Sequence, residues 1–228
     1  MKVEILFPEL CAIFGDYGNI IFLEENLGKK AITKTSIIDK PKFIDEPVDL
    51  IYMGAMSEKT QLLVLEKLKP NVNILKSKIE KGMKVLFTGN AMDLLGRYII
   101  EEDGTKIEGL NLFEFDTVIK RSPRFNDTIL GNNSSNLEII GHKTQFTQSY
   151  GENESNFFVK VDIGTGINKA SKFEGFVYKG LIGTNLTGPL LPLNPDFAKQ
   201  YLNIEILHYQ VLIRAKNQKI KDIKQYHQ

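Results

Sequence analysis

Short apolar runs alternate with segments of helical periodicity through the first hundred residues. Apolar and β-branched clusters predict strands at 3–7, 31–38, 48–54 and 84–89. Apolar residues at helical spacing predict helices at 17–27, 57–68, 72–81 and 91–98. The runs at 48–54 and 84–89 are nearly continuous, which is typical of strands buried on both faces. This rhythm predicts an α/β fold with a mostly parallel sheet flanked by helices.

The second half of the chain has a different pattern. Extra short strands are predicted at 114–119, 136–140, 157–161 and 176–186. The polar stretch 126–136 indicates a loop, and Asn194 with Pro195 indicates a helix over 194–202. Residues 205–228 are rich in Lys and Gln, with an apolar stripe that contains Ile206, Leu207, Val211 and Leu212. We therefore expect one domain over 1–204 and a C-terminal helix over 205–228 that packs on the domain or on a partner.

Composition excludes several classes of function. A formal net charge of +1 gives no electrostatic reason to bind nucleic acid or an anionic membrane. With the single cysteine Cys11, an intramolecular disulfide is excluded, and a cysteine metal cluster is not expected. No apolar run suits a signal peptide or a membrane span, so the prediction is a cytoplasmic protein. We expect no cofactor and no bound metal, and the glycine-rich 164–168 lacks the Lys-Ser/Thr of a phosphate loop.

The most informative stretch is KVLFTGNAMDLLG at 84–96. It predicts a buried strand, a sharp turn of small residues and a helix, the arrangement that holds a nucleophile in many α/β enzymes. The helix N-terminus would favour a developing oxyanion. The same connection is also common in α/β proteins without such a role. Gly89 at the tip has no side chain, and the Thr88 side chain is expected to point away from the tip because neighbouring strand residues alternate.

Four stretches, in order, resemble one family. They are FGDYGNIIFLEENL (14–27), MGAMSEKTQ (53–61), the segment 82–117 around the turn, and EGFVYKGLIGTNLTGPLLPLNPDFAKQYL (174–202). Together they resemble class I glutamine amidotransferases, in particular the glutamine amidotransferase subunits of lipid II isoglutaminyl synthase and, more loosely, cobyric acid synthase-type domains. The resemblance implies a flavodoxin-like three-layer fold.

The two catalytic residues of that family are replaced in this chain. The family uses a cysteine in the pattern Cys-Gly-Gly-Tyr-Gln-x-Leu-Gly, whose thiolate attacks the glutamine amide, and a histidine that activates the thiol and protonates ammonia. Aligning the turn on Leu95 and Gly96 places Gly89 at the cysteine. In TNLTGP (184–189), Thr187 stands where the family has histidine.

The resemblance also implies a set of substrate-binding positions. They are Gly54, Ala55, Asn90, Asp93, Arg124 and Gln145. Gln145 falls where the family has a histidine beside the pocket, and Ala55 and Met56 stand where glycines are expected, so Met56 is predicted to fill part of the pocket. Arg124, like Arg121, also fits an exposed loop.

Other residues offer weaker candidates. Cys11 fits a small buried hydrophobe better than a nucleophile. His142 is placed near the former pocket, whereas His208 and His227 are assigned to the surface of the C-terminal helix. Asp16, Gly18 and Asn19 fit the turn and cap that open the first helix.

Three functions remain open at this point. The first is a catalytically degenerate amidotransferase-like subunit that scaffolds or regulates a Mur ligase-like amidating enzyme of cell-wall precursor metabolism, leaving that enzyme to use free ammonia. The second is a module that binds glutamine or another small molecule in the former pocket. The third is an active glutaminase or another enzyme with atypical catalytic residues.

Overall fold

The computed structural model describes residues 1–226. Its centre is a six-stranded sheet in the order β13-β14-β4-β3-β1-β2. The strands are β1 (Val3–Leu6), β2 (Ile32–Thr35), β3 (Leu50–Met53), β4 (Lys84–Thr88), β13 (Phe176–Tyr178) and β14 (Leu181–Thr184). All neighbours pair in parallel except β13, which runs antiparallel to β14 at the edge. The carboxyl ends of the five parallel strands therefore meet at one side of the sheet.

Both faces of this sheet are buried, and the side chains of β3 show how. Leu50 and Tyr52 join the core on one face, and Ile51 and Met53 join the core on the other. The first face is covered by α1 (Tyr17–Leu27), α4 (Leu190–Leu193) and α5 (Pro195–Leu202). The second is covered by α2 (Glu58–Leu68) and α3 (Val72–Glu80). The predicted α/β fold with three layers is thereby confirmed, and the continuous apolar strands are explained by two-sided burial.

The segment after β4 differs from its prediction. Residues Gly89–Leu95 form a 3₁₀ helix, and the chain then enters a short strand instead of continuing as a helix to 98. The reason is a close backbone approach at Gly96, where a Cβ atom would lie 2.6 Å from the Phe115 carbonyl oxygen. The turn at Gly96 lets Arg97 donate its N–H to that oxygen and begins a new sheet.

Two four-stranded sheets account for the predicted extra strands. One has the order β10-β7-β5-β6, built from β5 (Tyr98–Ile100), β6 (Lys106–Glu108), β7 (Asp116–Ile119) and β10 (Thr147–Tyr150). The other has the order β12-β11-β8-β9, built from β8 (Phe125–Asn132), β9 (Glu138–Gln145), β11 (Val159–Ile163) and β12 (Phe173–Glu174).

Two predictions in this region are wrong. Most of 126–136, predicted as a loop, is strand β8. Its backbone pairs with β9 along eight residues, and Ile129 and Leu130 are buried. Backbone pairing does not depend on side-chain polarity, so the polar neighbours do not prevent the strand. The single strand predicted over 176–186 is the hairpin of β13 and β14, which reverses at Lys179 with φ of +52°.

The last helix, α6 (Tyr209–Tyr226), begins four residues later than predicted, and His208 precedes it with φ of +56°. Its buried side chains are Lys216, Ile220 and Ile223, and the two isoleucines pack against Leu130 and Ile140. The stripe proposed from the sequence is only partly correct, because Leu207 and Val211 are exposed. His227 lies outside the described residues. Within 1–226, none of the helices has the length and apolarity needed to cross a membrane.

Candidate functional site

The candidate site lies at the carboxyl ends of three adjacent parallel strands. β3 leads into the loop 54–57, β4 leads into Gly89, and β14 leads into the loop 185–188. A small cavity sits where these loops meet β9 and the turn after it. Its lining is Phe14, Ala55, Glu58, Gly89, Asn90, Arg124, Thr144, Gln145, Phe146, Thr147, Asn185 and Thr187. Ligand sites of open α/β sheets occupy this edge.

Gly89 occupies the tip of the turn in a left-handed conformation, with φ of +59°. A Cβ atom there would lie 2.6 Å from the Ala55 Cβ and 2.8 Å from the Thr187 Cγ2. The position thus has the strained geometry of a nucleophile elbow. The room for a side chain, however, is taken by Ala55 and Thr187.

Thr187 does not offer a free catalytic group. Its N–H and its hydroxyl both donate to the His142 carbonyl oxygen, at 2.9 and 3.2 Å. The His142 imidazole instead lies 3.2 Å from the Thr128 hydroxyl, and burial together with Lys219 lowers its pKa. The His142 backbone therefore contacts the cavity residue Thr187, as expected for a residue near the pocket. The His142 side chain, however, does not line the cavity.

Thr88 points away from the tip, as predicted, and joins a buried network around Asp16. Its hydroxyl donates to Asp16 Oδ2 at 2.8 Å, and the Ala55 N–H donates to the same oxygen at 2.6 Å. Asp16 is the N-cap residue of α1, as predicted, but its side chain makes no capping hydrogen bond to that helix. Burial raises the pKa of Asp16 to about 6, although these hydrogen bonds oppose the shift. Asp16 therefore connects the opening of α1, the loop 54–57 and strand β4.

Three backbone donors of the loop after β3 are bonded within the protein. The Gly54 N–H donates to the Cys11 carbonyl, the Ala55 N–H to Asp16, and the Met56 N–H to Asn90 Oδ1 at 2.8 Å. Asn90 also donates to the Met56 carbonyl at 2.7 Å. An oxyanion needs free N–H groups aimed at it. In this conformation the three N–H groups of residues 54–56 are occupied by the protein itself.

The remaining predicted substrate positions play different parts. Gln145 lines the cavity and donates to the Thr147 carbonyl at 2.7 Å. Arg124 is exposed at the cavity mouth, with its guanidinium 4.2 Å from the Phe146 ring centre and 5.3 Å from that of Phe14. Asp93 is fully buried outside the lining, and burial raises its pKa to about 7, partly offset by Gln61 and Thr147.

Six cavity-lining residues were not predicted from the sequence, namely Phe14, Glu58, Thr144, Phe146, Thr147 and Asn185. Asn185 and Thr147 line the cavity, and each has a buried side-chain oxygen without a hydrogen-bond partner. Asn185 is within the TNLTGP stretch and could have been recognised by its closeness to Thr187. Thr147 follows β9 after a single residue, and no sequence signal places it there.

Cys11 is unsuited to nucleophilic attack. Its side chain is fully buried, its sulfur lies 3.8 Å from the Met56 sulfur, and burial raises the pKa of the thiol to about 12. Nucleophilic cysteines have the opposite shift, because the thiolate is the reactive form. Met56 is itself buried beside Cys11 and outside the lining, so its predicted role in filling the pocket is wrong. Among residues 1–226, no group of three or more His, Cys, Asp and Glu side chains is arranged to hold a metal ion.

The chain is similar in sequence to two lipid II isoglutaminyl synthase subunits. Over 192 residues the chain is 31% identical to the lipid II isoglutaminyl synthase (glutamine-hydrolyzing) subunit GatD of Staphylococcus aureus (strain N315), covering 83% of this chain and 78% of the relative. Identity to the subunit of the same name from Streptococcus pneumoniae (strain ATCC BAA-255 / R6) is 25% over 202 residues, covering 87% and 77%.

The chain also resembles solved structures and matches a family model. A glutamine amidotransferase crystal structure superposes with a TM-score of 0.57 at 13% identity, covering 89% of this chain and 98% of the other. A glutamine amidotransferase of Thermotoga maritima gives 0.54 at 11% identity, covering 98% and 93%. At such identities the likeness concerns the fold alone. Residues 2–195 match the CobB/CobQ-like glutamine amidotransferase domain, and the chain therefore belongs to that family.

Proposed function

We propose that this protein is a non-hydrolysing subunit of a lipid II isoglutaminyl synthase-type complex. It would act as a scaffold or regulator of a Mur ligase-like amidating partner in cell-wall precursor metabolism. The family membership and the two GatD relatives support the kind of complex. The observation that carries the loss of hydrolysis is the elbow, where Gly89 offers no nucleophile and Ala55 and Thr187 occupy the space of a side chain.

The loop after β3 supports the same reading. Its N–H groups at 54, 55 and 56 are bonded to Cys11, Asp16 and Asn90, so none is presented to a tetrahedral intermediate. The other candidate nucleophiles are also unsuited to attack. The Thr88 hydroxyl is hydrogen-bonded to Asp16, and Cys11 is buried with a raised thiol pKa. An active glutaminase with atypical residues would need both a different nucleophile and free N–H groups for the tetrahedral intermediate.

A module that binds an amino acid is the second candidate, favoured by the polar residues Gln145, Thr147 and Asn185 in the cavity lining. The cavity has a volume of only about 20 Å³, which is room for about one water. Glutamine would need Arg124 and the loops around it to move. Calorimetry with a panel of amino acids tests this alternative, and heat that saturates with one of them would favour it.

The proposed function is tested by two measurements on the native protein. Purified protein incubated with glutamine is expected to release neither glutamate nor ammonia. Affinity isolation from the source cells is expected to bring down an ATP-dependent synthetase. Release of glutamate in proportion to enzyme would overturn the non-hydrolysing role, and isolation free of any synthetase would overturn the role as a subunit.

A further inference from the structure

A second cavity lies at the amino end of the central sheet, at the edge opposite the candidate site. It opens beside Lys84, the first residue of β4, and Gly180, which directly precedes β14. Its volume is about 260 Å³, against about 20 Å³ for the cavity of the candidate site. Small-molecule sites typically have volumes of roughly 300–1,000 Å³, so this cavity suits a ligand of one or two rings.

One wall of this second cavity is aromatic. The Phe197 ring centre lies 5.0 Å from that of Phe158 in an edge-to-face contact and 5.4 Å from that of Tyr201 in a stacked contact. Phe158 and Phe197 are 2% and 3% exposed and back the wall, whereas Phe157 and Tyr201 are partly exposed and can contact a ligand. Such a wall favours a flat apolar ring, because aromatic contacts add to the gain from burial.

The charged side chains of the lining are both positive. Lys84 and Lys179 line the cavity, and no Asp or Glu of residues 1–226 does. The Lys179 ammonium is paired with Glu80. Lys84 Nζ instead donates to the Tyr201 carbonyl oxygen at 2.6 Å. Within the described part of the chain, no carboxylate oxygen lies within 4 Å of Lys84 Nζ.

The charge of the partly buried Lys84 is therefore only partly compensated. Its bond to Tyr201 uses one of three N–H donors and caps the last turn of α5, where the helix dipole supplies about half a negative charge. The buried Lys143 and Lys216, by contrast, each pair with a carboxylate, as buried charges normally do. A monoanion fits the remaining charge better than a phosphate monoester, which carries about 1.5 to 2 negative charges.

We propose that this cavity binds a small aromatic carboxylate, with its ring against the aromatic wall and its carboxylate on Lys84. The inference goes beyond the proposed function and does not depend on it, because Lys84 begins β4 whereas Gly89 follows the other end of that strand. The ligand would therefore occupy a site separate from the former elbow.

The test uses two indole probes. The chain contains no tryptophan, so the fluorescence of an indole ligand can be recorded without indole emission from the protein. Indole-3-acetate carries a carboxylate, and indole-3-acetamide has the same ring and nearly the same size without the charge. The fluorescence anisotropy of each probe is measured as purified full chain is added. Saturable binding of both is expected, with the acetate bound roughly tenfold more tightly, as for a hydrogen bond to a charged group.

Lys84→Met removes the charge and keeps an apolar side chain. It is expected to weaken binding of indole-3-acetate roughly tenfold and to leave binding of indole-3-acetamide unchanged. Retained binding of the acetamide shows that the cavity of the variant is intact. Lys81→Met is the matched control, since Lys81 is an exposed lysine that does not line the cavity, and its affinities for both probes are expected to equal those of the wild type.

Phe157→Ala tests the aromatic part of the site. It is expected to weaken both probes to a similar extent, and thermal unfolding checks that the variant is folded. The absence of saturable binding of indole-3-acetate to the wild type would overturn the proposal. Equal affinity of the wild type for the two probes, equal effects of Lys84→Met and Lys81→Met, or unchanged binding in Phe157→Ala would overturn it as well.

Discussion

Gly89 and Thr187, at the ends of the paired strands β4 and β14, lie so close that a Cβ on residue 89 would stand 2.8 Å from the Thr187 Cγ2. By resemblance, these are the cysteine and histidine positions of the amidotransferase family. The fold thus brings the two family positions together although they are distant in sequence. In this protein residue 89 has no side chain, and Thr187 and Ala55 fill the space that a side chain there would need.

The first prediction concerns the space around Gly89. Gly89→Ala is expected to lower the free energy of unfolding by about 2–5 kcal/mol, because overpacking costs about 1–3 kcal/mol and a left-handed backbone costs an L-residue about 1–2 kcal/mol. Gly104→Ala is the control, since Gly104 also has a positive φ of +86° but no atom within 4 Å of its added Cβ. Urea denaturation measures both. Equal losses would show that the contacts with Ala55 and Thr187 cost nothing.

The second prediction concerns restoration of hydrolysis. Gly89→Cys with Thr187→His restores the family residues but leaves the Ala55 Cβ 2.6 Å from the new Cβ. Adding Ala55→Gly removes that contact. Glutamate release is therefore expected to be faster from the triple variant than from the double variant, with the wild type silent. It is expected to stay slow in both variants, because the N–H groups of residues 54–56 remain bonded within the protein. Activity in the double variant equal to that in the triple variant would contradict the steric role of Ala55.

The third prediction is a pH dependence of stability caused by Asp93. Its folded pKa is raised from 3.8 to about 7 by burial, so the folded state binds the proton more tightly. This contribution to stability is present at acidic pH and is lost as the pH rises from about 4 through 7. The shift of about 3 units corresponds to roughly 4 kcal/mol in order of magnitude.

Asp93→Asn is expected to remove this loss, so that its stability relative to wild type rises between pH 4 and pH 8. Urea unfolding across that range provides the measurement. The exposed Asp39 gives a control, and Asp39→Asn is expected to keep the wild-type slope. A slope in Asp93→Asn that matches wild type would refute the assignment. Asp16, with a pKa raised to about 6, contributes the same sign over a narrower window.

The fourth prediction concerns the fully buried pair Lys143–Glu174, whose charged atoms are 3.3 Å apart. Glu174 Oε1 also accepts from the Asn185 N–H at 2.8 Å, so the pair anchors the loop that carries Thr187. Glu174→Leu is expected to cost about 3–5 kcal/mol, because it leaves the Lys143 charge buried without its partner. Glu205→Leu breaks the exposed pair Lys199–Glu205 as a control and is expected to cost about 0–1 kcal/mol. Similar losses by thermal unfolding would contradict this account.

The sequence determined the architecture because its signals are local. Continuous apolar runs at 48–54 and 84–89 can be satisfied only by strands covered on both faces, and the intervening helical periodicity supplies the cover. By resemblance to the family, the turn of small residues after β4 and the TNLTGP stretch pointed to Gly89 and Thr187 from sequence alone. The polar strand β8 and the late start of α6 escaped prediction, since pairing with β9 and the docking of Ile220 and Ile223 are not encoded locally.

The hydrogen bonding and the free space of the candidate site were decided only by tertiary structure. Whether the N–H groups of 54–56 are free depends on Cys11, Asp16 and Asn90, which arrive from other parts of the chain. Whether residue 89 has room for a side chain depends on Ala55 and Thr187. Gln145, Thr147 and Asn185 line one cavity because β9 pairs with the loop after β14 through His142 and Thr187. Residue types can be read from a sequence, but hydrogen-bond saturation and free volume are properties of the packed chain.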